Sequence, residues 1–246
     1  MSAEFLLEIG TEELPSSFVR HALEAMRSAA LELIQQSRLG TDSLQVDALG
    51  TPRRLALRIT GLADRQPDRD ETVMGPPWRA AFEDDGTPKK AASGFARKHG
   101  VDVDALVKTA TEKGDYVSVR VHEPGKDTAD VLPDILPPLC HRITFPKSMR
   151  WGPGEIAFGR PIHWVVSLLG SDVVGFEFAG IEAGRTTRGH RFLAPESFDL
   201  AQASDYESAL EAAHVIVDID TRKARMMDAL HAAAKGLGGV LEPDAF

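Results

Sequence analysis

The stretch Thr51–Thr60, TPRRLALRIT, decides the fold class of this chain. Its residues alternate, so Leu55, Leu57 and Ile59 share one face of a strand while Arg54, Ala56 and Arg58 share the other. The pattern predicts a strand with one face in a core and the other in water.

Upstream, Phe5–Ile9 is a short apolar run closed by Gly10, and Pro15 opens a helix predicted to reach about Ser37, with Phe18, Ala22, Met26, Ala29 and Leu33 on one face. Glu12 and Glu13 lie just ahead of that helix, where carboxylates favour the positive end of its dipole. Their expected role is helix capping.

Downstream, Asp64–Gly75 is polar and reads as an exposed connection leading into Pro76-Pro77-Trp78, a first candidate boundary. Asp85-Gly86 makes a turn, and Thr87 and Pro88 open a helix to about His99 with Gly100 behind it. Tyr116–His122 alternates as a strand. Asp127–Ile143 looks helical, although Pro133, Pro137 and Pro138 are expected to kink or break it. Ile162–Leu169 and Val173–Phe178 flank Gly170-Ser171-Asp172 as a hairpin. Ser204 and Glu207 make a capping-box pattern for a helix to about Ala213. Val215–Ile219 then reads as a strand, and Asp220 caps a helix to Lys235.

Helices and strands mix without regular β-α alternation, so the expected class is α+β, with mixed or antiparallel sheets and packed helices. The expected division is 1–65, an α+β segment; 66–200, a central region; and 201–246, an α-β-α segment leading into further domains.

With 43% hydrophobic and 26% charged residues the chain belongs with ordinary globular proteins, not with disordered or fibrous ones. Cys140 is the single cysteine, which excludes an intrachain disulfide and a cysteine-based zinc cluster. The N-terminus has no basic leader segment, and no stretch approaches a membrane span. A soluble, cytoplasmic protein is expected.

No GxxxxGK[ST] and no GxGxxG after a strand appears, so the chain lacks the usual phosphate cradles. GxSxG and HExxH are also absent. His190, between Gly189 and Arg191, is the residue that a hydrolytic reading would choose, because histidine titrates near neutrality. Its structural reading is a strand-loop element, Arg185–Phe192, in which Gly184 and Gly189 allow tight geometry.

The net charge of −9 argues by itself against nucleic-acid binding. Its distribution argues otherwise. Between Arg142 and Arg191, seven basic residues stand against four acidic ones. Lys147, Arg150, Arg160, Arg185, Arg188 and Arg191, with Trp151 and His190 among them, supply phosphate donors and a stacking plane, and they form the candidate nucleic-acid-binding set. Trp164, inside an apolar run, is expected in a core; Trp78 and Trp151 are expected to be partly exposed.

Seven ordered stretches, FLLEIGTEELP, TPRRLALRI, MGPP, DGTPKKAASGFA, FPKSMRWG, FGRPIHWVVSLLG and GRTTRGHRF, resemble the β subunit of the bacterial two-subunit glycyl-tRNA synthetases. Tyr206, Leu210, Val215 and Arg222 extend the likeness; Lys89-Lys90 departs slightly from it. The resemblance implies a β subunit that continues into an HD-like helical region and an anticodon-binding domain. It implies an α subunit carrying the site for glycine, ATP and Mg, an α2β2 heterotetramer, and tRNA(Gly) as the substrate. It further implies similarity to the B3/B4-type module of the phenylalanyl-tRNA synthetase β subunit. Editing is not carried over, because a glycine pocket excludes larger competitors sterically. The expectation is a tRNA-positioning or subunit-contact region with no catalytic residue, metal or cofactor of its own.

Overall fold

A computed structural model describes residues 3–152 and 154–241 of the chain. In chain order the elements are β1 (Phe5–Thr11), α1 (Ser16–Gln36), β2 (Gly40–Thr51), β3 (Arg54–Leu62), β4 (Arg69–Pro77), the one-turn α2 (Trp78–Ala81), α3 (Lys90–Lys98), β5 (Val107–Thr111) and β6 (Gly114–Glu123). There follow α4 (Thr128–His141), β7 (Met149–Arg150), β8 (Ala157–Phe158), β9 (Ile162–Leu169), β10 (Asp172–Val173), β11 (Glu177–Phe178), β12 (Ile181–Glu182), β13 (Thr186–Arg188), β14 (Ser197–Asp199), α5 (Tyr206–Ala212) and α6 (Ile219–Gly236). Helices and antiparallel strands are present in comparable measure, an α+β fold.

The chain forms two compact units. Residues up to Gln66 and those from Asp127 onward make the first; Pro67–Lys126 make the second. This differs from the expected 1–65, 66–200 and 201–246 division. Residues 127–200 return to the first unit because β9 pairs with β1, and α5 packs on the same sheet.

The first unit is built on an antiparallel sheet ordered β10-β9-β1-β3-β2. All seven residues of β1 are buried, which requires cover on both faces. One face carries Phe5, Leu7, Ile9, Leu55, Leu57 and Ile59, which pack against α1 and α4. The opposite face carries Leu6, Ala56, Trp164 and Val166, which pack against Leu200, Tyr206 and Leu210. The face of β3 expected to be wet is therefore covered, with Arg54 only 2% exposed. Sequence alternation shows which residues share a face, but not that a later segment will cover the polar one.

Three further expectations are corrected in this unit. α4 runs unbroken through Pro133, Pro137 and Pro138. Each proline removes a donor, at about 3 kcal/mol relative to alanine. The buried stripe Val131, Leu132, Ile135, Leu136, Leu139 and Cys140 returns about 1.5–3 kcal/mol for each large side chain and holds the helix. Val215–Ile219 forms no strand; it runs alongside the β2 end, where the Gly50 amide donates to Val217 O at 3.0 Å. Glu207 pairs with Arg58 of β3, tying α5 to the sheet, and makes no capping box.

β9 and β10 pair antiparallel across Gly170, as the Gly-Ser-Asp turn predicts, but β11 leaves them to pair with β12. α6 begins at an Asp218 cap whose carboxylate accepts from the Thr221 amide at 2.7 Å. None of its side chains is buried, and Met226, Leu230 and Leu237 line an exposed apolar stripe.

In the second unit, β4, β6 and β5 form an antiparallel sheet with α2 and α3 over a small core of Phe82, Ala92, Ala96, Val117 and Val119. Arg69–Pro77, expected as part of a loop, is an edge strand. Its charged side chains face water, as edge strands allow, while its backbone pairs with β6. Across this pair Asp70 meets Arg120 at 2.9 Å and His122 at 2.9 Å. His122 comes first among the causes that hold the Asp70 carboxyl below the usual aspartate range.

Candidate nucleic-acid interface

At one end of the five-stranded sheet, three sequence motifs are joined by backbone hydrogen bonds. The Thr11 amide donates to Arg53 O at 2.8 Å, Leu14 to Pro52 O at 2.6 Å, and Glu12 to Pro161 O at 3.0 Å. The exit of β1, the β2–β3 turn and the entry to β9 thus form one rigid rim. Gly10 is required for it: it lies opposite Trp164, and a Cβ there would sit 1.9 Å from the indole.

Beneath the rim, Glu8 and Arg54 form a buried ion pair at 3.2 Å. Thr187 Oγ1 donates to Glu8 Oε2 at 2.7 Å, and Arg54 donates to Arg188 O at 2.6 Å. The last two bonds fasten β13 to the sheet, which delivers Arg188–Arg191 to the rim. Burial pushes the Glu8 carboxyl up, and Arg54 and Thr187 oppose that shift. The guanidinium groups of Arg54 and Arg188 lie 5.7 and 5.2 Å from the Trp164 ring, within cation–π range.

On the rim surface, Glu12 meets His163 at 3.1 Å and Arg191 at 3.9 Å, and Glu13 meets Arg191 at 3.6 Å. The two glutamates thus orient basic groups. They do not cap α1, whose start has no side-chain cap.

The expected set divides by environment. Arg185 is structural: its guanidinium donates to the carbonyls of Ser171, Leu200 and Ala201. Arg160 donates to Glu13 O and Gly159 O, holding the rim. Trp151 is half-buried, donates to Phe158 O at 3.0 Å, and leans on the first core. Lys147, Arg150 and Arg188 are exposed and form no ion pair among the described residues, which leaves their donors for solvent or a ligand. Arg191 is exposed beside Phe192 at 5.9 Å.

His190 Nδ1 accepts from the amides of Phe192 and Leu193, both at 3.2 Å. An accepting Nδ1 places the neutral ring's proton on Nε2, so His190 presents a donor where a hydrolase would need a base. This geometry weighs against the hydrolytic reading.

Sequence reading missed Arg53, His163 and Phe192 and gave Glu12 and Glu13 a capping role; all five are brought together by pairing distant in sequence. The available signal was the recurrence of Arg and Glu beside turn residues in TPRR and TEELP. Of the tryptophans, Trp164 is buried and Trp78 and Trp151 are partly exposed.

The family model described as glycyl-tRNA synthetase beta subunit matches residues 5–245, the same span that carries the rim. This chain belongs to the glycyl-tRNA synthetase β-subunit family. It is similar to the glycine–tRNA ligase beta subunit of Myxococcus xanthus, at 44% identity over 99% of this chain and 34% of the relative. That of Trichlorobacter lovleyi is 46% identical over 99% and 35%. That of Chromohalobacter salexigens is 45% identical over 95% and 34%. The chain spans about a third of the length of these β-subunit relatives. The Glu8, Arg54, Trp164 and Thr187 cluster is thus a feature of the N-terminal third of a glycyl-tRNA synthetase β subunit. Among the described residues no helix is long and apolar enough to cross a membrane.

Proposed function

We propose that this chain serves, within a glycine–tRNA ligase, to position tRNA(Gly) on the β subunit, while an α subunit carries out glycine activation with ATP and Mg. The assembly is an α2β2 heterotetramer of the cytoplasm. The chain itself contributes no aminoacylation site. The observation that carries this reading is the exposure of Lys147, Arg150 and Arg188 without carboxylate partners, in a chain of net charge −9. An acidic protein that leaves a cationic group uncompensated has a use for it, and phosphate is the partner that matches guanidinium geometry.

The test is the double substitution Arg150→Ala with Arg188→Ala in the complete two-subunit ligase, with tRNA(Gly) affinity measured as a function of salt. Weaker binding and a salt slope shallower by about 2 are expected, one for each phosphate contact removed. Unchanged affinity and slope, with folding intact, would sink the reading.

A second reading, a scaffold for the α subunit or the rest of β, is favoured by the exposed stripe of Met226, Leu230 and Leu237 on α6 and by the net negative charge. Co-purification of the α subunit with this chain, lost on Leu230→Lys, would support it over direct tRNA contact.

A further inference from the structure

Beside the rim lies a cleft of about 370 Å³, with Pro52, Val215 and Phe192 on its apolar wall and Arg53 and Arg191, with the carboxylate of Glu13, on its charged side. Its volume suits a single small ligand or one extruded base, and is too small for a helix. Three features of it are unusual together.

Arg53 forms no ion pair among the described residues, and its Nε is buried without a hydrogen-bond partner. Burial first, and the nearby Arg191 second, disfavour its charged form, while Glu12 and Glu13 oppose them. Arg191 is held by Glu12 and Glu13 only at 3.9 and 3.6 Å, too far for hydrogen bonds, so its donors stay open. Glu12 and Glu13 act on both guanidinium groups but stand beyond hydrogen-bond distance of Arg191, so the pair keeps donors that an incoming anion can engage.

Phe192 is 80% exposed, an aromatic ring left in water at the cleft mouth with Arg191 beside it. Its position is fixed, because the Phe192 and Leu193 amides are anchored on His190 Nδ1. Arg222, which also lines the cleft, is committed to the carbonyls of Gly50, Ile216 and Val217 and contributes structure. A ring of this kind next to a pair of phosphate donors has the layout that single-stranded nucleic-acid sites use.

We propose that this cleft binds an unpaired nucleotide of RNA, its phosphate held between Arg53 and Arg191 and its base laid on Phe192. The inference rests on the tRNA-positioning reading and adds to it a specific subsite that takes unstacked RNA in preference to duplex.

The test titrates the 246-residue chain, its folding checked by circular dichroism, with a fluorescein-labelled single-stranded pentanucleotide of adenosine and with the matching duplex. The single strand binds more tightly than the duplex. Arg53→Gln, Arg191→Gln and Phe192→Ala each weaken it about tenfold or more, and only the two arginine variants flatten its salt dependence. Arg191 is exposed, so its substitution stays informative if Arg53→Gln disturbs the turn. Equal binding of duplex and single strand, or full binding by the arginine variants, overturns the proposal. So does a loss in the arginine variants with none in Phe192→Ala, which would mark a bare anion site. If the pentanucleotide ignores these substitutions while Arg150→Ala with Arg188→Ala still weakens tRNA(Gly), this inference alone falls; if neither set matters, the tRNA-positioning reading falls with it.

Discussion

Glu8 and Arg54 face each other at 3.2 Å with their side chains 0% and 2% exposed, so a carboxylate and a guanidinium are paired inside a sheet layer covered on both sides. Thr187 bonds to Glu8 and Arg54 to the Arg188 carbonyl, which makes the pair the joint between the central sheet and the basic β13 segment.

Removing one partner leaves an uncompensated buried charge. Glu8→Ala is expected to destabilise the chain by about 3–5 kcal/mol, read by chemical denaturation. The double variant Glu8→Leu with Arg54→Met, which removes both charges, is expected to recover most of that loss. A loss below about 1 kcal/mol in the single variant would show that the pair is not carrying the joint.

Gly10 is held by sterics, since a Cβ there falls 1.9 Å from the Trp164 ring. Gly10→Ala is expected to cost about 1–3 kcal/mol by overpacking. Combining it with Trp164→Leu is expected to cost less than the sum of the two single changes, because the clash disappears with the indole. Simple additivity would remove this explanation.

Asp218 caps α6, and its carboxyl is held below the ordinary aspartate value of 3.8 chiefly by the Thr221 hydrogen bond. A depressed folded value means that the capping contribution is fully present above pH 3.8 and is lost as pH falls through the folded value. Helicity followed at 222 nm is therefore expected to hold down to about pH 3.8 and decline below it. Asp218→Ala should cost about 1 kcal/mol near neutral pH and remove the acid-side step.

Leu210 of α5 is fully buried, whereas Leu230 of α6 is 48% exposed. Leu210→Ala is expected to cost about 2–5 kcal/mol, and Leu230→Lys to leave thermal stability within about 0.5 kcal/mol. A large loss from Leu230→Lys would mean that α6 packs on the remainder of the chain after all.

Legibility followed the range of the interaction. The strand Phe5–Ile9 and the helices α1, α3 and α6 were readable because periodicity and turn residues act over a few positions, although the expected caps failed: α1 and α3 have no side-chain cap, and Asp218, not Asp220, caps α6. The edge strand Arg69–Pro77 was not, since its composition is that of a loop and only pairing with β6 makes it a strand. α4 was doubted for its prolines, which sequence rules penalise without knowing how much apolar surface the helix will bury. In the site, Arg188, His190 and Arg191 were singled out by local charge. Arg185, equally basic, proved to be a clamp on three carbonyls, and Arg53 was passed over because only segments distant in sequence make it part of the cleft.

The sequence by itself determined the α+β class, the basic character of Arg142–Arg191 and, through its ordered motifs, the β-subunit family. Only the tertiary structure decided that the polar face of β3 is covered, that Glu12 and Glu13 pair with Arg191 and His163 instead of capping a helix, and which basic residues remain free. The physical reason is that alternation and charge are properties of neighbours along the chain. Desolvation and ion pairing, in contrast, depend on segments such as β1 and β13, far apart in sequence and brought together only by folding.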